Sequence, residues 1–436
     1  MNEMMGRIRR HLNRFLRGGR SDLAVTLVGK TSQPIFLFLT VMLVARALGP
    51  EAVATLAFLR LIPVYLILLF GMGVEFSNQY TIPRHPERFG QIVSYNLAVW
   101  LLVSIASAAL FLPLAPVVRN AFFTTLGVAE VLAFPAVVSS FFGMRMISSI
   151  FQGRRRFWQA SLVWLVYGTL LLGAQLILLL LGMGQASVMH SVLTASLAGF
   201  ATGLILLLGQ IRGARMMPDR RFWAYLLRFG FNGQMISALE VITLRLDHFI
   251  LRFIAGPDVV GYYAIATKLA EAFRVIPDSV SFVMTPMLSR LTGAEARARA
   301  RRALVLVVPA SAVFACLAFV CIPFLVKGVF GPQYARSIAA SWILVAGVIG
   351  LLYLSPMNSY FIGTGRPRLV LCVSAVAGLV TIVADLVLIP LLGMNGAAAA
   401  SSCAYLSGLV MASWLFARPG ETRSTINESV LSGRRA

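Results

Sequence analysis

Long apolar runs, separated by short polar links rich in arginine, repeat along the whole of this 436-residue chain. A hydropathy window of about 19 residues predicts twelve spans, at 23–47, 54–76, 92–118, 128–151, 160–182, 187–209, 229–254, 259–289, 303–325, 337–363, 368–391 and 395–417. Most are close to the ~20 residues that a helix needs to cross the hydrocarbon core of a bilayer. The runs lack the ten-residue alternation of barrel strands. No amphipathic helices accompany them that would cover such segments in a soluble protein. Backbone in lipid has to satisfy its own hydrogen bonds, which favours helices. The predicted fold class is therefore an all-α polytopic membrane protein with about twelve transmembrane helices.

Composition agrees with that pattern and leaves little chain for a soluble domain. Hydrophobic residues make up 58% and charged residues 12% of the sequence, with a mean hydropathy of +0.83, against roughly 45–50% and 25% in globular proteins. The formal charge of +22 would suggest nucleic acid on a water-exposed basic face, but here the basic clusters lie in short links between spans. Their distribution is one-sided: alternate links and both ends hold 27 Lys and Arg, against 3 in the opposite set. The positive-inside bias then places both termini in the cytoplasm. Phe157-Trp158 and Phe222-Trp223 follow basic links, where interfacial aromatics belong.

The expected organisation is a basic cytoplasmic segment 1–22, a first six-helix bundle 23–209, a basic linker 210–228, a second bundle 229–417 and a cytoplasmic tail 418–436. Ala45-Arg46-Ala47 imitates a signal-peptidase site, but cleavage there would leave no soluble domain to secrete, so the first helix is expected to stay. The four cysteines lie in apolar runs with neither disulfide-framework nor metal-ligand spacing, and the four histidines form no cluster. No metal site and no cofactor are expected. No outer link exceeds about a dozen residues, short for a loop that carries catalytic residues. A glycan polymerase or ligase is excluded on that ground, and the chain is expected not to be an enzyme.

Gly49-Pro50-Glu51-Ala52-Val53 with Ala57 recurs as Gly256-Pro257-Asp258-Val259-Val260 with Ala264, 207 residues later. Gly-Pro-acid is also ordinary turn and helix-start chemistry. Both copies, however, join an odd span to an even one on the outer side, as in a parallel repeat of two six-helix halves with a substrate site between them. Arg46-Ala47-Leu48-Gly49-Pro50-Glu51-Ala52-Val53, Arg245-Leu246-Asp247-His248-Phe249-Ile250-Leu251, the stretch from Gly256 to Leu269, and Pro286-Met287-Leu288-Ser289 resemble one known group. It is the polysaccharide transporter branch of the multidrug/oligosaccharidyl-lipid/polysaccharide exporter superfamily, which includes the O-antigen flippases. The resemblance covers most of the chain. It implies two bundles facing a central cavity, MATE- and flippase-like, in the bacterial inner membrane. It also implies movement of a polyprenyl-diphosphate-linked oligosaccharide between leaflets, with membrane lipids, a proton or sodium ion and glycan polymerase machinery as partners and no nucleic acid.

An ionisable residue inside a span costs at least about 2.5–3.5 kcal/mol on insertion scales and is a functional candidate by default. Basic candidates are Lys30, Arg46, Arg60, Arg145, Arg245, Arg252, Lys268 and Arg274; acidic ones are Glu75, Glu240, Asp247, Glu271, Asp278 and Asp385. Arg46 and Arg252 lie near helix ends and are expected to snorkel. At about 100° per residue, Glu240 and Asp247 share one face of their span, Arg245 and Arg252 another, and Lys268, Glu271, Arg274 and Asp278 form a polar stripe on the next span. Depth counted from Gly256-Pro257 pairs Asp247 with Lys268 and Glu240 with Arg274. Glu75 is expected to be solvated or to pair with Lys30.

Two readings of these charges follow. In one they only neutralise each other and hold the bundles together. In the other Lys30, Arg60, Arg145, Arg245, Lys268 and Arg274 bind a diphosphate, to which Arg offers a planar fork of donors and Lys a point charge. Glu240, Asp247, Glu271, Asp278 and Asp385 then act in coupling or gating. Lys30 also completes a relaxed phosphate-loop pattern over 24–31, but no strand–loop–helix context supports nucleotide binding there. A cell-wall lipid precursor flippase and a cation-coupled multidrug antiporter remain alternatives. Twelve spans rather than fourteen favour the oligosaccharide group over the first, and a first span with Lys30 and no carboxylate opposes the second.

Overall fold

The computed structural model describes residues 33–211, 216, 218–288, 291 and 293–417, and within them all regular structure is helical. Helix α1 is Gln33–Leu48. It is followed by α2 (Pro50–Phe70), α3 (Val74–Thr81), α4 (Phe89–Phe111), α5 (Ala115–Phe122), α6 (Val128–Leu132), α7 (Phe134–Gly153), α8 (Phe157–Leu180) and α9 (Ala186–Leu208). The remainder are α10 (Arg220–Ala255), α11 (Pro257–Leu288), α12 (Gly293–Leu325), α13 (Ser337–Gly363), α14 (Pro367–Leu392) and α15 (Met394–Ala417).

Nine stretches among the described residues are long and apolar enough to cross a membrane. Helices α10 and α11, at 36 and 32 residues, are long enough too but are not among the nine, and they carry most of the in-span charges. Leu379, Val383 and Leu386 on α14, and Val313, Leu317 and Val320 on α12, are exposed at helical spacing. Such apolar outer faces suit a lipid solvent and would be a liability in water.

Three expected spans are broken. The run 54–76 divides because Met72 (φ 48°) and Gly73 (φ 63°) turn left-handed between α2 and α3, a conformation that cannot continue a right-handed helix. The run 92–118 divides at 112–114 around Pro113, and 128–151 at Ala133, two residues before Pro135; proline cannot donate the hydrogen bond that helix interiors need. Helix α10 begins at Arg220, inside the stretch expected as a linker. The Asp219 carboxylate caps it, accepting from the backbone N–H groups of Arg221 (3.0 Å) and Phe222 (3.1 Å).

The two Gly-Pro copies share backbone geometry as well as sequence. Gly49 has φ 85° and ψ −173°, and Gly256 has φ 91° and ψ 173°. This region is essentially reserved for glycine, and at each copy the proline that follows starts a helix with its φ already set.

The chain forms two compact units. The first comprises 1–241, 255–264 and 328–334, and α7 is its hub, packing on α2, α3, α4, α8 and α9 through Phe142, Met144, Ile147 and Phe151. In this unit α10 crosses the α2–α3 break at Gly230 and Gly73, where a Cβ on either would collide with the other's backbone. The exposed Arg46 guanidinium donates to the carbonyls of Gly328 and Val329. The second unit comprises 242–254, 265–327 and 335–436. There α15 packs on α13 and α14 through small residues, Ala397, Ala400, Ser401, Ala404 and Gly408 among them, as helices in lipid do to bring backbones close. Arg252, expected at the interface, is buried.

Candidate functional site

In the first unit the break after α2 turns α3 so that Glu75 meets Arg145 of α7. Arg145 donates from Nε to Glu75 Oε1 at 2.7 Å and from Nη2 to Oε2 at 2.9 Å, a two-pronged ion pair in which both side chains stay about a quarter exposed. Glu75 is thus held by Arg145, where solvation or Lys30 was expected, because the α2–α3 break re-aims its helix. The segment carrying Lys30 lies outside the described residues.

Arg60, from α2, lines the same cavity of about 320 Å³. Its Nε is buried with no hydrogen-bond partner, and no carboxylate pairs with it among the described residues. Gln33, Gln79, Gln152, Ser148 and Trp164 share the wall. Trp164 Nε1 donates to Ser148 Oγ at 3.0 Å, and Gln79 Nε2 to Gln152 Oε1 at 3.1 Å. One fixed carboxylate, two guanidiniums and a set of amides and hydroxyls form a pocket able to take an anion bearing hydroxyl-rich groups.

The second unit gathers Arg245 on α10 with Lys268 and Glu271 on α11. Glu271 accepts from Lys268 Nζ at 2.6 Å through one oxygen and from Arg245 through the other. Across the two helices, therefore, the Arg245–Glu271 ion pair is formed, a combination the depth count did not contain. The side chains of Glu240, Arg274 and Asp278 lie outside the described residues, on helices that are themselves described.

Deeper in this unit is a carboxylate cluster. Asp247 Oδ1 accepts from the His248 backbone N–H at 2.7 Å and lies 2.8 Å from the His248 ring Nδ1, while Ser401 Oγ donates to Oδ2 at 3.3 Å. Asp385 on α14 is fully buried, and neither of its oxygens has a hydrogen-bond partner among the described residues. Asp247 is near enough to act on it electrostatically. Burying a carboxyl without a partner is costly.

Sequence reasoning missed the amide and tryptophan lining of the first cavity, and Ser401. A signal for part of it was present. Arg145, Ser148, Ser149 and Gln152 recur at i, i+3, i+4 and i+7 within an apolar helix, which marks one polar face.

Comparisons with known proteins bear on these sites through the fold. A sequence model described as "Polysaccharide biosynthesis protein" matches residues 20–292. The structure is similar to the lipid II flippase MurJ in an inward closed conformation, with TM-score 0.74 and 15% identity over 90% of this chain and 87% of that one. It is also similar to an inward-facing multidrug resistance MATE family transporter of the MOP superfamily, with TM-score 0.69 and 14% identity over 93% and 96% of the two chains. The eukaryotic MATE transporter AtDTX14 matches at TM-score 0.59 and 10% identity, over 94% and 96%. No curated protein sequence matches the chain. The matched structures are a flippase and transporters, not enzymes.

Proposed function

The chain belongs to the polysaccharide biosynthesis protein family, and from that premise we propose that it is a flippase for a polyprenyl-diphosphate-linked oligosaccharide. The cargo would be an O-antigen, capsule or exopolysaccharide repeat unit, carried from the inner to the outer leaflet of a bacterial inner membrane by alternating access. The observation that carries this reading is the first-unit cavity, where Arg60 keeps a buried Nε, unpartnered among the described residues, beside Arg145 and a wall of amides. A diphosphate needs several such donors in a low-dielectric site, while the prenyl tail needs none and can stay in lipid. In this reading twelve spans, both termini in the cytoplasm, complete the topology.

Arg245 and Lys268 add to the cationic set, with Lys30 and Arg274 as further members on sequence grounds. Asp247 and Asp385 serve the coupling ion, proton or sodium, and Glu271 gates by holding Arg245 and Lys268 when no cargo is bound. Glu240 and Asp278 join the coupling group by position in the sequence alone. A cell-wall lipid precursor flippase is the second reading, favoured by the fold shared with MurJ. Efflux of cationic drugs fits less well, since Arg145 already occupies the carboxylate in the Arg60 cavity.

The test is to deplete the protein and identify what builds up in the cytoplasmic leaflet. Accumulation of a lipid-linked oligosaccharide repeat unit supports the first reading and accumulation of a cell-wall precursor the second. If neither accumulates, the flippase reading fails.

A further inference from the structure

A second cavity, of about 360 Å³, opens in the first unit away from the cationic site, where the start of α10 lies against α4. Its wall is apolar along Ala98, Val99 and Leu227, and Arg220 stands at its edge. Two polar groups in that wall are unsatisfied. Tyr95, 4% exposed, has its hydroxyl buried without a hydrogen-bond partner among the described residues, and the indole N–H of Trp223 is buried and unpartnered in the same way. Their rings meet edge to face at 5.8 Å, which fixes both. An orphaned buried donor is expensive and rare in native proteins; two beside one open groove point to acceptor oxygens supplied from outside the chain.

The order of groups with depth narrows what supplies them. Arg220 is the first residue of α10, and Trp223 follows about 4.5 Å further along the axis at 1.5 Å per residue. Tyr95 stands six residues from the start of α4, about 9 Å by the same rise. The polar zone on each side of the hydrocarbon core is about 5–8 Å deep; with the starts of α4 and α10 taken as the membrane surface, the cation falls at headgroup level and the two donors at the level where the acyl chains begin. Among the described residues no carboxylate pairs with Arg220; the neighbouring Asp219 is engaged by Arg88 at 3.6 Å and by its capping bonds.

We propose that this groove binds one anionic glycerophospholipid of the bilayer. Its phosphate meets Arg220, its ester carbonyls accept from Trp223 Nε1 and the Tyr95 hydroxyl, and an acyl chain lies on Val99 and Leu227. A polyprenyl phosphate offers the phosphate but has no ester oxygens below it, so it leaves both donors unsatisfied. The occupant is therefore a bilayer lipid and not the transported one.

The full chain, delipidated in a neutral detergent, is titrated with phosphatidylglycerol, phosphatidylethanolamine or a polyprenyl phosphate, and retention is read by native mass spectrometry. One phosphatidylglycerol per chain is expected, held more tightly than either competitor. Y95F and W223F should each weaken it about threefold to tenfold, the worth of one hydrogen bond, and R220Q about tenfold. Ala98→Phe, which fills the groove, should abolish retention. In lipid-free detergent Y95F should melt no lower than the parent, because the hydroxyl it removes has no partner there. R220Q alters an exposed side chain and serves as the decisive variant if the buried ones do not fold. Equal retention by the parent and all folded variants, or a preference for the polyprenyl phosphate, would overturn the proposal.

Discussion

The two units solve the burial of charge with opposite remainders. In the first, Arg145 is clamped by Glu75, and a second cation, Arg60, is left with a buried Nε that nothing in the described chain accepts from. In the second, Asp247 is bonded to His248 and Ser401, and a second acid, Asp385, is left with both oxygens unpartnered among the described residues. Each unit thus holds paired charges, the second also in Arg245–Glu271–Lys268, and among the described residues keeps one further group unsatisfied, cationic in the first and acidic in the second. Units whose Gly-Pro turns share sequence and geometry, at Gly49-Pro50 and Gly256-Pro257, thus differ in the charge they leave unpaired. The contrast suits an anionic cargo in one half and a small cation in the other, the division of labour that the proposed function requires.

The largest test of that contrast is Arg60→Ala. Truncating one member of a buried charged contact costs about 2–5 kcal/mol, or roughly 30-fold to several thousand-fold in affinity, so export should fall by about two orders of magnitude at unchanged membrane level. Arg60→Lys should restore part of it, keeping the charge and losing the fork. Complementation by Arg60→Ala at normal expression would break the assignment of the anion to the first unit. Asp385→Asn follows in size. It should remove the dependence of transport on the driving ion in proteoliposomes while leaving cargo binding within about twofold, a shift below ~0.4 kcal/mol. A loss of cargo binding equal to that of Arg60→Ala would show that the two remainders are not separate.

The clamped pair sharpens the comparison at lower cost. Arg145→Ala leaves Glu75 without its partner, and since both side chains are about a quarter exposed, the penalty is below the ~3–5 kcal/mol of a fully buried pair, at about 1–3 kcal/mol. Glu75→Ala combined with Arg145→Ala should recover much of that stability, as a thermal melt in detergent would report. The single loss and its recovery define a coupling energy that neither variant gives alone. If the double variant is as unstable as the single one, the ion pair is incidental to the packing of α3 on α7.

The sequence carried most of the helices, because an apolar run near twenty residues leaves few alternatives in lipid; α13 occupies the whole of its expected span, 337–363. What escaped was local. Hydropathy averages over the left-handed turn at Met72 and Gly73 and over the prolines at 113 and 135, since those residues are apolar or neutral yet stop a helix. The same averaging hid Glu75's partner, because the turn re-aims a residue that a continuous helix would have directed elsewhere. Charged candidates were legible by their cost in the membrane, whereas Gln33, Gln79 and Trp164 cost less and come from three different helices. Ser401 was invisible for a related reason: a serine among alanines on α15 reads as helix-packing surface until Asp247 is placed against it.

Ser401 supplies the smallest and most discriminating test. Its hydroxyl donates to Asp247 Oδ2 over 3.3 Å, a long bond, while His248 bonds the other oxygen twice at shorter range. Ser401→Ala should therefore cost little stability, about 0.5 kcal/mol at the low end for a hydrogen bond, and the melting curve should scarcely move. If Asp247 and Asp385 hold the coupling ion, however, the hydroxyl oxygen is one of few neutral acceptors beside them, and its loss should weaken ion dependence by about threefold to tenfold. Ser401→Thr, which keeps the oxygen, should behave like the parent. An unchanged ion dependence in Ser401→Ala would assign the serine to packing alone and leave Asp247 and Asp385 as the candidates for holding the ion.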